Sequence, residues 1–355
     1  MPDQAGQASR VPNQSTCDAR AWRNGAAVAR LRGGLRRWVA ALAVTTLAAC
    51  NPAPHPPLMV GMNAWVGYDP LVLARDKKLL DPRQVKVVEL ASTSETQRHF
   101  RNGLLDAAAL TLDEALRLAD EGIDVRVVAV MDASNGADAV MVDPGIQTLS
   151  DLRGASIAVE GTTVGAMVLQ RLLQKAGLKP ADVNVVHLEA PQQLEALLHH
   201  RVSAAVCYEP VASVLRAAGF QNVFDSQQMQ GEIVDVLVVR AELLDDRAAQ
   251  VDALLAAWHQ GMQALHDDPG AAAALLAPGT DLTANQYLAA IKSLKMFTPE
   301  QSLAQLSGSP PPLVQNAQSM VSALRSMGLI AKAPDWPVLI APEPAQRLQS
   351  QEKQP

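Results

Sequence analysis

Thirteen polar or aromatic residues stand at or just after the ends of short apolar runs: Asn63, Trp65, Tyr68, Ser92, Ser94, Thr111, Asp132, Ser134, Glu160, Thr162, Thr163, Tyr208 and Glu209. Their chemistry is that of holding a molecule. Hydroxyls and amides exchange hydrogen bonds, carboxylates accept from amines, and aromatic rings stack on a flat group or cover an apolar stem. Aromatic residues make up only 3% of the chain, so Trp65 and Tyr68 in one strand-end loop are informative. Bond-making chemistry lacks its parts. Asp132, Asp138 and Asp235 could serve as acids, but no nucleophile or histidine is placed beside them in the sequence. There is no phosphate loop, dinucleotide glycine fingerprint or GxSxG elbow. His199 and His200 with Glu195 do not make a metal site, since adjacent residues diverge by about 100° around a helix. Cys207, between Val206 and Tyr208, reads as a small buried hydrophobe. No cofactor and no metal are expected.

The elements that position these residues alternate. Leu58 to Met62 is a strand; Asp69-Pro70 then offers an N-cap and a first-turn proline for a helix to about Leu80. Val85 to Leu90 is a second strand, and Ser92 with Glu95 forms a capping box for a helix reaching Gly103. Asp106 to Leu110, a helix capped by Thr111 and Glu114, and Val125 to Met131 complete the first series. A crossing strand, Ala137 to Val142, closes at Asp143-Pro144-Gly145. The plan then repeats on a smaller scale: strands at Ser156 to Val159, Val183 to Leu188, Ser203 to Cys207 and Asn222 to Phe224, with helices between them. Glu189 and Ser226 are further strand-end residues of this series. Ile233 to Arg240, IVDVLVVR, reads as the return crossing, after which the chain is helical: Glu242 to about Leu265, Pro269 to Leu276, Thr283 to Leu294 and Leu313 to Met327.

Short strands alternating with helices mean mostly parallel sheets with helices on their faces. In such sheets ligands sit at the carboxyl ends of the strands, near helix N-termini. Two lobes joined by two crossings therefore imply a cleft. The expected organisation is a leader and N-terminal extension over 1–50, a tether over 51–57, a discontinuous first lobe of 58–142 plus 236–335, a second lobe of 143–235, and a flexible tail at 341–355.

The first fifty residues carry seven Arg and two acids, Asp3 and Asp18; without them 23 basic residues face 34 acidic ones, a formal charge of −11. An acidic mature chain argues against a nucleic-acid partner. Arg30, Arg32, Arg36 and Arg37 precede the apolar run Trp38 to Ala49, which has signal-peptide length. The run ends in Leu47-Ala48-Ala49-Cys50, which resembles the lipobox of bacterial lipoproteins. That resemblance implies lipid modification of Cys50, and Asn51 to Pro57, with four prolines, then reads as an extended tether.

From Leu58 to about Pro334 the chain resembles a substrate-binding protein of an ATP-binding-cassette importer. The group concerned includes the nitrate, sulfonate, taurine and thiamine-precursor (pyrimidine) binding proteins. The resemblance is carried by NAWVGYDPLVLARDKKLL, NGLLDAAALTLDEAL, GADAVMV, SDLRGASIAVE and SAAVCYEP, in that order. It implies an α/β, two-lobed periplasmic-binding-protein fold, type II-like, with two hinge-crossing strands. It also implies capture of a small solute and delivery to a membrane permease and its ATPase, by a monomer held on the periplasmic side through a lipid anchor. By this resemblance Trp65 and Tyr68 would face the solute from the first lobe, and Ser92, Ser94 and Thr111 would supply hydroxyls. Thr162, Tyr208 and Glu209 would close from the second lobe. The strand-end set holds four acids (Asp132, Glu160, Glu189, Glu209) and no Lys or Arg, which points to a neutral or amine-bearing solute, such as an aminopyrimidine. Two other readings stay open. One is an enzyme on the same scaffold, in pyrimidine or quinone-precursor synthesis; the other is the sensor lobe of a regulator, which would need a DNA-binding motif where the leader lies.

Overall fold

Capping chemistry sets where the helices begin. The side-chain oxygens of Ser92, Thr162, Thr283 and Thr298 each accept a backbone N–H of the first turn that would otherwise lack a partner. The computed structural model describes residues 55–352. The leader, Cys50 and most of the expected tether lie outside the described residues.

The first series is β1 (Leu58–Asn63), α1 (Asp69–Asp76), β2 (Val85–Leu90), α2 (Thr93–Arg101), β3 (Ala107–Thr111), α3 (Leu112–Asp120) and β4 (Val125–Ser134). The second is β5 (Asp138–Val142), β6 (Ser156–Val159), α4 (Thr163–Ala176), β7 (Asn184–His187), α5 (Ala190–Leu198), β8 (Ala204–Tyr208), α6 (Val211–Ala217) and β9 (Gln221–Asp225). The chain returns through β10 (Val234–Arg240) into α7 (Leu243–Asp246), α8 (Ala248–Asp267), α9 (Pro269–Leu276) and α10 (Ala284–Ile291). It ends with β11 (Leu294–Met296), α11 (Pro299–Leu306), α12 (Pro312–Asn316), α13 (Gln318–Ser326), α14 (Trp336–Leu339) and α15 (Glu343–Glu352).

Two separate sheets form, in the orders β11-β4-β10-β3-β1-β2 and β7-β6-β8-β5-β9. β1 runs parallel to β2 and β3, and β6 parallel to β7 and β8. β10 lies antiparallel between β3 and β4, and β5 antiparallel between β8 and β9. Side chains of β10 alternate between two apolar clusters: Leu237 and Val239 join one with Leu254 and Trp258, while Val236 and Val238 join the other with Leu112 and Met320. A central strand buried on both faces is expected to be apolar throughout, which is how IVDVLVVR reads apart from Asp235.

Two expected boundaries move. β5, placed at the end of the first lobe, is hydrogen-bonded within the second sheet, so the outward crossing is residues 135–137. The cause is that β4 runs on to Ser134, and the chain turns only where Gly136 takes a φ of +114°, a conformation that disfavours any side chain. Likewise β10 joins the first sheet from Val234, opposite Ala133, two residues before the boundary drawn at 236. The flexible tail expected at 341–355 is corrected over its described part, 341–352: α15 packs on α8, with Ala345 and Leu348 buried and Arg347 bonded to Asp252 at 2.7 Å.

Helix α8 covers the first sheet by running close over α1. At Gly261 a Cβ would stand 1.8 Å from the Pro70 carbonyl oxygen, which is backbone and cannot swing aside. Gly261→Ala is therefore expected to destabilise the domain by roughly 2 kcal/mol in urea unfolding. Gly145→Ala, where nothing lies within 4 Å, should stay within about 0.5 kcal/mol of the parent.

Candidate functional site

The carboxyl ends of both sheets face one another, and three aromatic residues meet between them. Trp65 and Tyr68 sit in the turn after β1, where the Tyr68 N–H bonds to the Trp65 carbonyl at 2.9 Å. Their ring centroids are 6.4 Å apart; the Trp65 ring meets Tyr208, at the end of β8, at 5.9 Å and 77°, an edge-to-face contact. Asn63 Nδ2 is 3.5 Å from the Tyr208 hydroxyl. A small cavity between the lobes is lined by Asn63, Trp65, Tyr68, Thr93, Thr111, Asp138, Val164, Tyr208, Ile233 and Asp235.

Beside this cavity the lobes clasp each other directly. The Ser94 N–H, at the start of α2, donates to Glu160 Oε1 at 2.7 Å. Ser92 Oγ donates to Glu189 Oε2 at 2.9 Å, and Arg98 reaches Glu189 Oε1 at 2.9 Å. Tyr208 OH lies 3.3 Å from the second oxygen of Glu160. A carboxylate at a helix N-terminus satisfies exposed N–H groups and meets the positive end of the helix dipole. Here the protein supplies that carboxylate itself.

The sequence-selected residues thus divide. Asn63, Trp65, Tyr68, Thr111 and Tyr208 line the cavity. Ser92, Ser94 and Glu160, with Glu189, form the clasp. Ser134 belongs to the crossings: its hydroxyl is 2.7 Å from that of Ser226, and it accepts from the Asp138 N–H at 3.1 Å. Thr162 caps α4 by accepting from the Gly165 N–H at 3.1 Å, and Thr163 is the first residue of that helix. Glu209 accepts from the Ser213 N–H at 3.0 Å at the start of α6. Asp132 lies behind the rings, accepting from Trp65 Nε1 at 3.4 Å. His199 and His200 point to different partners, Glu195 and Asp143. Thr93, Asp138 and Asp235 were not among the selected residues. The signal for the two acids was present: each is a lone carboxylate inside an apolar strand, GADAVMV and IVDVLVV.

The electrostatics are one-sided. Asp132 on β4 stands directly opposite Asp235 on β10, and the Tyr68 hydroxyl donates to Asp235 Oδ1. No Lys or Arg lines the cavity. Burial pushes the carboxyls of Asp132 and Asp138 up to about 7 and that of Asp113 up to about 6. Burial and the neighbouring carboxyls also push Asp235 and Glu114 well above the ordinary range. Burial raises Glu160 and Glu209 as well. A larger pocket lies behind the crossings, lined by Asn135, Gly231, Glu232, Phe297 and Met320 among others, but it has none of the rings or strand-end acids.

A model of the NMT1-like family matches residues 51–277. The chain belongs to the NMT1-like family. This NMT1-like chain is 25% identical over 206 residues to a Brachyspira hyodysenteriae protein named as an ABC transporter periplasmic binding protein. The match covers 54% of this chain and 59% of that relative, so the chain spans about three fifths of the relative's length. Among solved structures, it resembles the alkanesulfonate-binding protein of Xanthomonas axonopodis pv. citri bound to MOPS, with a TM-score of 0.68 and 18% identity, covering 81% of this chain and 100% of that one. A desulfurization enzyme has the same fold, with a TM-score of 0.61 and 17% identity, covering 83% of this chain and 99% of that one. At these identities the likeness is one of fold: two α/β lobes of the periplasmic-binding-protein kind.

Because the buried carboxyls bind protons more tightly folded than unfolded, stability falls as pH rises from about 5 to 8, where the unfolded chain is ionised and the folded one still holds protons. The exposed acids held below the ordinary range, such as Asp81 and Asp151, act at lower pH and do not offset this. Thermal melts of residues 51–355 should show Tm lower by roughly 5 °C at pH 8 than at pH 5.5. A flat or rising Tm over that interval would contradict the burial of these groups.

Proposed function

We propose that this chain is the solute-binding component of an ATP-binding-cassette importer, which captures a small organic solute between its lobes and delivers it to a membrane permease. The observation that carries the reading is the interlobe cavity: two sheets joined by two crossings present Trp65, Tyr68 and Tyr208 to one small cleft. Family membership and the name of the Brachyspira relative support it. Rings that meet edge to face give a flat or apolar body a wall on each side, and the two crossings let the lobes part and close as rigid bodies. The lipobox at Leu47 to Cys50 supports a lipid anchor on the periplasmic side of the envelope. A tethered monomer then works at raised effective concentration near its permease and ATPase.

The residues favour a neutral or amine-bearing solute over a strong anion. Fixed positive charge is missing from the cavity lining, and the helix terminus where an anion would find donors, that of α2, is already occupied by Glu160. Binding chemistry is also favoured over catalysis. Cys207, the single described cysteine, is 1% exposed and its thiol is pushed up by burial, which removes the thiolate a nucleophile needs.

Calorimetric titration with an aminopyrimidine and an alkanesulfonate tests the solute class. Pyrimidine binding that weakens about tenfold to a hundredfold in Trp65→Ala is expected, and tight sulfonate binding without pyrimidine binding would reverse the preference. For the anchor, Cys50→Ser should move the expressed protein from the membrane fraction to the soluble one. Unchanged membrane association would contradict lipidation at that residue.

A further inference from the structure

Two carboxyl oxygens, Asp138 Oδ2 and Asp235 Oδ2, are buried in the cleft without a fixed N–H or O–H donor, and Asp235 can share a proton with the neighbouring carboxyl of Asp132. Asp138 and Asp235 both line the cavity, and they are 7% and 1% exposed. They come from opposite lobes. Asp138 opens β5 in the second sheet, and Asp235 lies near the start of β10 in the first.

The titratable groups around them are acids and a phenol, with the Asn63 amide and Trp65 Nε1 as the nitrogen donors in the lining. Asp235 faces Asp132 across the β4–β10 pair, the Tyr68 hydroxyl from the turn after β1, and Asp138. Asp138 faces Ser134 at the end of β4, Asp113 on α3 and Glu209 after β8. The guanidinium that approaches this group, Arg216, lies 3.4 Å from Glu209 and is half exposed, outside the cavity lining. A buried carboxylate without a donor is strongly disfavoured, and of like charges side by side one is held protonated. Ionised together, Asp138 and Asp235 repel one another across the cleft unless a proton or a cation lies between them.

We infer that the solute of this cleft carries a positive charge and at least two N–H donors, bridges Asp138 of one lobe to Asp235 of the other, and displaces protons held there when it binds. This rests on the cleft being the solute site, and adds the charge, the contacts and the proton exchange. The rings supply the walls; the acids supply the requirement for charge. At acid pH protons take the place of the solute and the empty protein can close; at alkaline pH only a cation permits closure.

A matched set of three molecules of one shape separates the possibilities: benzamidine (cation), benzamide (neutral) and benzoate (anion), titrated calorimetrically into residues 51–355 at pH 6 and pH 8. Benzamidine should bind, and about tenfold more tightly at pH 8 than at pH 6 because one proton competes. Its apparent enthalpy should depend on the buffer, reporting proton release. Benzamide and benzoate should bind at least about a hundredfold more weakly. Asp138→Asn and Asp235→Asn should each weaken benzamidine at least about tenfold, while melting at pH 5.5 close to the parent, which shows that loss of binding is not loss of fold.

Equal binding of benzamide and benzamidine, an affinity that does not change with pH, an affinity that survives both substitutions, or no benzamidine binding overturns the proposal. Small-angle scattering keeps this separate from the importer reading. Benzamide that binds and contracts the protein would sink the charge requirement and leave the closing cleft intact. At pH 8, where the empty protein is held open, a bound cation that leaves the radius of gyration unchanged would sink the closing cleft, and with it the bridge between lobes.

Discussion

Strand β10 is the constraint on which the molecule depends. The chain leaves the first sheet after β4, builds the whole second lobe, and comes back to insert β10 antiparallel between β3 and β4. Its backbone must satisfy two neighbours at once, and its side chains must fill an apolar cluster on either face. Valine and leucine at five of its seven positions meet that demand, the other two being Asp235 and, at its end, Arg240. The first lobe is therefore incomplete until the second has been made. The same insertion brings both crossings together, where Ser134 and Ser226 join hydroxyls at 2.7 Å.

That insertion also creates the unusual electrostatics of the cleft. In an antiparallel pair the residues directly opposite are the nearest side-chain neighbours, and here they are Asp132 and Asp235. Rings cover them: Trp65 Nε1 donates to one and the Tyr68 hydroxyl to the other. Exclusion of water raises the protonation equilibria, and the absence of a fixed cation in the cavity lining leaves them raised. The clasp at Ser92, Ser94, Glu160 and Glu189 uses the opposite principle. There Glu189 meets Arg98 at the partly exposed rim and is held below the ordinary range, while Glu160, though buried, meets the N-terminus of α2.

Much of this was legible in the sequence because it is local. Capping residues, first-turn prolines and short apolar strands specify their own neighbourhoods: Ser92 and Thr162 cap with their hydroxyls, and the Thr111 N–H meets Glu114. The aromatic turn was legible as well, since Trp65 and Tyr68 are rare residues at a strand end. What was not legible depends on pairing. β5 is as apolar as a strand of the first lobe, and only its hydrogen bonds to β8 and β9 place it in the second. Glu160 and Glu189 read as cleft walls because a strand end does not say whether its carboxylate meets a solute or the other lobe. Asp138 and Asp235 stood out as lone acids in apolar strands, but their meeting across the lobes requires the register of both sheets. The C-terminal helix was hidden by a composition rich in Pro, Gln and Glu, although Ala345 and Leu348 fall three apart on one face.

Cys207 has a practical consequence. Its sulfur is buried in the core of the second lobe, and burial keeps the thiol protonated, so alkylating reagents, which attack thiolates, would pass it over in the native fold. Among the described residues, a cysteine introduced on the rim of either lobe would then be the one position that takes a dye. Fluorescent reporters of lobe motion can be built on this scaffold without first deleting Cys207.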